Sequence, residues 1–209
     1  MANHAQFTAT RRSVLDSPKL AARIQCGDEA ALATIVNALW RPLVSYATRL
    51  LDDADSASDV VQESLSHFWM KRDHLAIRTS LEAYLYRAVR NRALDERRRV
   101  GRRMRLLERR WSRTVSENEL AAAASDGLPL YLEQAVALLP ERRRQVFILA
   151  HLHDLTYREI AAILDLSPQT VANHVSRALA DLRRKLAPHL VAAADEDPTL
   201  RAKSHISTG

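Results

Sequence analysis

Five polar side chains near residue 170 are of the types that read the edges of DNA bases. Gln and Asn can each form two hydrogen bonds with adenine, and Arg can form two with guanine or contact phosphate. In a helix all five would lie in the first turns, the part that enters a major groove. They are Gln169, Thr170, Asn173, His174 and Arg177. The spacing predicts a duplex-reading surface, although an ordinary helix with a polar outer face could carry similar residues.

Two helix starts at helix-turn-helix spacing would position these side chains. Thr156 and Glu159 form a Thr-x-x-Glu capping box, so a short helix is predicted to begin there. Ser167-Pro168 is an N-cap followed by proline at the first helical position, which predicts a second helix from Pro168. Its inward face consists of Val171, Val175, Ala178 and Leu182. Taken alone, the pattern also fits an ordinary antiparallel helix pair.

A second polar ridge lies on the helix predicted to follow Ser80. It consists of Arg87, Asn91, Asp95 and Arg98, with Tyr84 and Tyr86 near its start. An aromatic ring can stack on an unpaired base and Arg can contact phosphate, so the ridge suits single-stranded nucleic acid. The residues alone leave an equal alternative, in which the tyrosines belong to the core and only their hydroxyls reach the surface.

An acidic, amide-bearing face lies on the preceding predicted helix. Val61, Leu65 and Phe68 form its apolar side, and the opposite side consists of Asp59, Gln62, Glu63 and Ser66. Such a face would attract a basic partner. A solvated helix surface explains it slightly better from these residues alone.

Composition narrows the class of protein. The chain has 209 residues, 47% of them apolar, with only 4 Gly, which favours an all-α fold. The net charge is +6, yet residues 87–113 hold twelve arginines against three acids, so the rest of the chain is slightly acidic. A localised polyanion contact is expected, and a solvated basic linker is the alternative.

Several kinds of site are not expected. Cys26 is the only cysteine, which excludes an internal disulfide and fits a reducing cytoplasm. No apolar run approaches membrane length, and no export signal is evident near the start. The His151-x-His153 pair has no accompanying cysteines, so no metal or other cofactor is predicted.

The pattern along the chain predicts two small helical domains joined by a basic linker. Their boundaries follow changes in apolar periodicity, with Pro42 expected to bend or break the first core helix and Ser17-Pro18 expected to form a turn. The predicted segments are a flexible or loosely packed leader (1–27), a first domain (28–99), the linker (100–129), a second domain (130–187) and a tail (188–209).

Together these residues resemble the extracytoplasmic-function sigma factors, small promoter-specificity subunits of bacterial RNA polymerase. DVVQE at Asp59 to Glu63, Trp69, and AYLYRAVRNRALDERRR at Ala83 to Arg99 are similar to sigma region 2. LPERRRQVF ending at Phe147, and the helix-turn-helix sequence from Leu155 to Leu186, are similar to region 4.

The resemblance implies that each of the three surfaces binds a different partner. It makes Asp59, Gln62 and Glu63 contacts for core polymerase, and it makes Gln169, Thr170, Asn173, His174 and Arg177 the −35 reader. It assigns the −10 element to Tyr84, Arg87, Asn91, Asp95 and Arg98. It further implies no catalysis by the chain itself, and an anti-sigma factor as a probable partner besides core polymerase and promoter DNA.

Four positions depart from common residues of that family. Tyr84 stands where Trp is frequent, and Ala172 replaces a frequent basic residue and should weaken one phosphate contact. Asp154 and Asp165 stand where glycine is common, and Asp tolerates left-handed backbone geometry better than most residues.

Two rival classes remain at this point. A helix-turn-helix regulator would bind operator DNA without polymerase, but no receiver-like β/α pattern precedes residue 130. A nuclease using Asp59, Glu63 and Asp95 would need a metal-ligand constellation, which the sequence does not suggest.

Overall fold

A computed structural model of the protein describes residues 15, 17–75, 77, 79–108 and 130–196. Eight α-helices and one short 3-10 turn, Arg72–His74, make up the regular structure of these ranges. The helices are α1 (Pro18–Gln25), α2 (Glu29–Leu51), α3 (Ala54–Met70), α4 (Leu81–Glu108), α5 (Leu130–Ala137), α6 (Glu141–His151), α7 (Tyr157–Leu164) and α8 (Pro168–Glu196). The predicted all-α class is confirmed. Among the described helices, none combines the length and apolar character of a bilayer-crossing segment.

Helices α2, α3 and α4 pack against one another around the first core. The Asp28 carboxylate accepts the Ala30 and Ala31 amides at the start of α2, and the Asp53 carboxylate accepts the Ser56 amide at the start of α3. These bonds satisfy amides that have no partner within the first turn of a helix. The apolar stripes of the three helices then supply the core residues, among them Ile35, Leu39, Leu43, Val61, Phe68, Leu85 and Val89.

Pro42 was predicted to bend or break the first core helix. It does not break the helix, because α2 is continuous from Glu29 to Leu51. A bend at Pro42 stays a prediction. A proline inside a helix removes one backbone hydrogen bond and crowds the preceding turn. Leu39 and Leu43 flank Pro42 and are fully buried. Most of a helix's stability in a folded protein comes from such packing, which explains why α2 continues.

The end of the predicted leader is ordered rather than loosely packed. Residues 18–25 form α1, and Leu20 and Ile24 are buried together with Leu15. Ser17-Pro18 begins this helix instead of forming a turn. A Ser-Pro pair also begins α8, at Ser167-Pro168, so the same local signal starts both helices. The leader before residue 15 lies outside the described residues.

Two helices extend beyond the predicted ends of their domains. Helix α4 continues past residue 99 to Glu108, and α8 continues through Pro188 to Glu196. Both extensions are rich in Arg, Leu or Ala, which are strong helix formers. Residues 109–129 of the predicted linker and residues 197–209 of the predicted tail lie outside the described residues.

Helices α6, α7 and α8 pack together, and α5 contacts α8. The predicted capping box is confirmed, since the Glu159 amide donates to Thr156 Oγ1 at 3.3 Å and the Thr156 amide donates to Glu159 Oε2 at 2.8 Å. The second predicted start is confirmed too, because the Thr170 amide donates to Ser167 Oγ at 3.0 Å. Asp154 and Asp165 adopt positive φ of 53° and 54°, as expected for these turn positions.

Candidate nucleic-acid interface

The first turns of α8 present the predicted duplex-reading residues on the surface. Gln169, Asn173 and Arg177 are exposed, and Thr170 and His174 are half-buried. Gln169 Nε2 donates to Asn173 Oδ1 at 3.4 Å, so the two amides already lie side by side. The opposite face of α8 is fixed in the core by the four predicted apolar residues Val171, Val175, Ala178 and Leu182. The structure therefore brings all five predicted polar residues together on one capped, well-packed helix.

The turn before α8 sets its direction. The left-handed Asp165 ends α7, and the Leu166 amide donates to the carbonyl of Ala161 at 3.0 Å. A left-handed residue at this place bends the chain sharply away from the helix axis. Ser167 then caps α8. This geometry is a helix-turn-helix whose second helix exposes Gln169, Asn173 and Arg177.

The second polar ridge follows α4. Arg87, Asn91, Asp95 and Arg98 are exposed, and Arg98 Nη1 donates to Asp95 Oδ1 at 3.0 Å. Tyr84, at the start of the ridge, is half-buried against Phe68, with ring centroids 6.0 Å apart. Four of the five predicted residues thus share one open ridge, whereas the Tyr84 ring is partly engaged by the core.

The Tyr86 ring lies in the core, as the core-tyrosine alternative expects, but its hydroxyl is buried against His153 instead of reaching the surface. Its side chain is 0% exposed and its ring centroid lies 5.3 Å from that of Tyr46. Tyr46 is 1% exposed, and burial raises the pKa of its hydroxyl well above the ordinary value, with the nearby Arg90 charge acting in the opposite direction. Because both rings are buried, neither is available for base stacking.

The acidic face of α3 is open. Asp59, Gln62, Glu63 and Ser66 are exposed on the side opposite the buried Val61, Leu65 and Phe68. Arg92 on α4 donates to Glu63 Oε2 at 2.9 Å. One member of the acidic face is therefore already paired with the basic helix.

The basic character of α4 is partly balanced within the helix. Arg99 donates twice to Glu96, each bond at 2.8 Å, and this hydrogen bonding lowers the pKa of the Glu96 carboxyl and raises that of the guanidinium. Other arginines of α4, such as Arg97 and Arg102, are exposed. The helix presents a cationic surface interrupted by local ion pairs, which suits contact with a phosphate backbone.

The first helical group, α1 to α4, contacts the second helical group, α5 to α8, and this contact was not predicted. The start of α4 packs against α7 and the turns on either side of it. Three polar pairs cross the contact. Ser80 Oγ donates to Glu159 Oε1 at 2.5 Å, Tyr86 Oη and His153 Nδ1 share a 2.9 Å hydrogen bond, and Arg87 Nη2 donates to Asp165 Oδ1 at 2.7 Å. One residue of the predicted single-strand ridge is therefore paired with the helix-turn-helix turn.

The two histidines of the His-x-His pair have separate environments. His153 is buried beside Tyr86, whereas His151 is exposed and its ring lies 4.7 Å from that of Phe147. Within the described part of the chain, no group of three or more His, Cys, Asp or Glu side chains is placed to hold a metal ion.

Comparison with known proteins identifies both helical groups. Residues 35–103 match sigma-70 region 2, and residues 130–182 match sigma-70, region 4. The ECF RNA polymerase sigma factor SigW of Bacillus subtilis is 25% identical over 174 residues, which span 78% of this chain and 93% of that protein. The ECF RNA polymerase sigma factor SigE of Mycolicibacterium smegmatis is 30% identical over 174 residues, spanning 78% of this chain and 65% of that protein.

Two solved structures share the fold. The sigma factor RpoE of Bartonella quintana, in complex with the anti-sigma factor NepR, superposes with a TM-score of 0.57 at 24% identity and covers 74% of this chain and 96% of its own. CnrH in complex with the cytosolic domain of CnrY gives a TM-score of 0.58 at 23% identity. The match covers 81% of this chain and 96% of the solved chain.

Proposed function

Because this chain belongs to the sigma-70 family and is an extracytoplasmic-function sigma factor, we propose that its three exposed surfaces each bind a different partner during promoter recognition. Sigma factors are initiation factors that direct RNA polymerase to promoters, and they are not themselves catalysts. The proposal concerns which residues of this chain carry out each step.

The −35 element binds the first turns of α8. The observation that carries this assignment is the exposure of Gln169, Asn173 and Arg177 on a capped helix whose opposite face is buried. Such a helix is rigid before it meets DNA, so amide and guanidinium groups can enter the major groove without ordering a loop. Thr170 and His174 lie at the edge of this surface and would contact the sugar-phosphate backbone.

The −10 element binds α4. Arg87, Asn91 and Arg98 lie on one ridge and offer two cations and an amide to a separated strand. Asp95 accepts from Arg98 and so orients that guanidinium on the ridge. Tyr84 is the aromatic residue of this surface, and the exposed part of its half-buried ring contacts an unpaired base.

Core polymerase binds the exposed face of α3. Asp59 and Glu63 supply negative charge and Gln62 supplies an amide between them. A basic surface on the polymerase would compete with Arg92 for Glu63. Binding of core polymerase takes place in the cytoplasm, where the polymerase meets DNA.

An anti-sigma factor is the expected negative regulator. Two proteins of the same fold, RpoE of Bartonella quintana and CnrH, were each solved with an anti-sigma protein or domain. The test is capture of proteins by this chain from its native cells, followed by addition of each captured protein to a transcription reaction. A genuine anti-sigma factor abolishes initiation that depends on this chain, and binding without inhibition argues against the role.

Run-off transcription on genomic promoter fragments tests the main proposal. Purified core polymerase should produce specific starts only when this protein is added. No starts, combined with tight sequence-specific binding by the protein alone, would indicate a regulator that acts without polymerase.

Charge reversal tests the polymerase-binding face. Asp59→Lys combined with Glu63→Lys should abolish core binding while circular dichroism shows unchanged helix content. Asp73→Lys is a matched control, since Asp73 is also exposed but lies in the 3-10 turn. Retained core affinity in the double variant would refute the assignment.

A further inference from the structure

Three charged side chains meet beside the duplex-reading surface, where α6 packs against α8. Asp181 on α8 accepts from Arg143 of α6 through Oδ2 at 2.5 Å, and from Arg184 of α8 through Oδ1 at 2.8 Å. Both oxygens of one carboxylate are therefore engaged by guanidinium groups, and hydrogen bonds between ionised groups are stronger than those between neutral ones. These three residues form the Asp181 cluster.

The members of the Asp181 cluster differ in exposure. The side chains of Asp181 and Arg143 are 14% and 29% exposed, whereas that of Arg184 is 77% exposed. Asp181 and Arg143 thus form a largely buried base from which Arg184 projects into solvent. A guanidinium carries several N–H donors, so Arg184 can bond Asp181 and an anion at the same time.

The position of Arg184 on α8 places it in line with the duplex-reading surface. Arg184 lies seven residues after Arg177, which is close to two helical turns, so the two side chains share one face of α8. Their positions are roughly 10 Å apart along the helix axis. Arg183 is also exposed, but it is turned by about 100° from Arg184 around the helix. A duplex that lies along this face therefore passes Arg184 as well as Arg177.

The charge of the Asp181 cluster favours an anion. Two guanidinium groups oppose one carboxylate, which leaves one unit of positive charge. Arg143 thereby offsets the repulsion that the Asp181 carboxylate alone would exert on a phosphate. At the start of α6, the carboxylate of Glu141 is paired with Arg144, so its charge is balanced locally.

We propose that Arg184 binds a phosphate of the duplex beside the −35 bases, and that Asp181 and Arg143 are positioning residues for this contact. The proposal rests on the proposed function of α8 as the −35 reader. Asp181 restrains the Arg184 side chain before DNA arrives, so less side-chain entropy is lost on binding. A phosphate contact carries no sequence information, but it adds affinity and fixes the register of the helix on the duplex.

Salt titration of holoenzyme binding to a promoter duplex tests the phosphate contact. Arg184→Ala should weaken binding and reduce the slope of log affinity against log salt concentration by about 0.9, the contribution of one phosphate contact. As salt rises from about 50 to about 200 mM, the unmodified holoenzyme should therefore lose about threefold more affinity than the variant. A changed −35 sequence should weaken both by the same factor, because the contact is independent of sequence.

Two single variants show whether the charge at this position is responsible. Arg184→Lys keeps the positive charge and should retain most of the slope. Arg183→Ala is the matched control, since it removes the neighbouring exposed arginine that faces another direction, and it should leave the slope unchanged. Because Arg184 is exposed, circular dichroism should show the same helix content in all these variants.

A double-mutant cycle tests the positioning role of Asp181. Arg184→Ala should cost less affinity in an Asp181→Ala background than in the unmodified chain, since the two residues are expected to act as a unit. An equal or larger loss in that background would refute the positioning role.

An unchanged salt slope in Arg184→Ala would overturn the phosphate contact, and so would an equal change in Arg183→Ala. Weaker binding of Arg184→Ala to core polymerase in the absence of DNA would also overturn it, because the Asp181 cluster would then contact a protein surface. Arg177→Ala separates this failure from failure of the −35 assignment. If Arg177→Ala weakens promoter binding and Arg184→Ala does not, only the phosphate contact is refuted, whereas no effect in either variant refutes the −35 role of α8.

Discussion

Glu159 offers a sharp test of how the helix-turn-helix is held in place. The carboxylate is only 6% exposed, and it accepts three hydrogen bonds. Oε2 accepts from the Thr156 amide at 2.8 Å and from Thr156 Oγ1 at 2.7 Å, and Oε1 accepts from Ser80 Oγ at 2.5 Å. One side chain therefore caps α7 and also joins it to the start of α4.

Glu159→Ala should lower the free energy of unfolding by about 2–4 kcal/mol. A hydrogen bond to a charged group contributes roughly 1.5–3 kcal/mol, and three of them would exceed this range. The desolvation of a buried carboxylate offsets part of the gain, and alanine's higher helix propensity offsets a little more. Thr156→Ala, which leaves the Ser80 bond in place, should lower it by about 1 kcal/mol.

Urea unfolding of the full chain, monitored by circular dichroism, measures the free energy of unfolding of both variants on one scale. Ser80→Ala serves as a second comparison, because it removes the bond to α4 and spares the capping box. The reasoning is refuted if Glu159→Ala is no more destabilising than Thr156→Ala, since the buried carboxylate would then contribute nothing beyond the cap.

Three further outcomes are expected. Arg177→Ala should weaken holoenzyme binding to promoter duplex by about 1–3 kcal/mol. Arg183→Ala, which removes another exposed arginine of α8, should not weaken it. Equal losses in the two variants would exclude Arg177 from the duplex-reading surface. Leu149 is 0% exposed, so Leu149→Ala should lower the free energy of unfolding by about 2–5 kcal/mol in urea titrations, and a loss under about 1 kcal/mol would show that the core refills the space. The Arg23 hydrogen bond lowers the pKa of Asp28, so this bond stabilises the fold above the ordinary aspartate pKa and the stabilisation fades as the pH falls through the lowered value. An NMR titration should show the pKa rising in Arg23→Ala, and an unchanged pKa would contradict the cause.

Local chemistry made much of the fold predictable from the sequence. The capping box at Thr156 and the Ser167-Pro168 start each fix a helix boundary through neighbouring residues, so no distant information is needed. The apolar face of α8 followed from spacing alone. Asp165 was expected at a left-handed turn for the same reason.

Helix lengths and long-range contacts were less predictable. Pro42 was expected to bend or break α2. The helix does not break there, because burial of the residues around Pro42 outweighs the lost hydrogen bond. Nothing local distinguishes Tyr86, which is buried under α7, from Tyr84, which packs on Phe68. That difference depends on how two helical groups meet, and the pairing of Arg87 with Asp165, 78 positions apart, carries no local signal.

Because α4 is a long helix, its positive charge lies on a rigid element. The helix has 28 residues, so it is roughly 42 Å long at 1.5 Å per residue. Ala93 is its last fully buried residue among those with described side chains. The exposed arginines that follow it, Arg97, Arg98, Arg99 and Arg102, therefore lie on a stiff helical segment beyond the core. A rigid cationic rod loses little conformational entropy when it meets a polyanion. The affinity of this helix for DNA should therefore fall with ionic strength through counterion release. Folding of the helix on the nucleic acid should contribute little to that affinity.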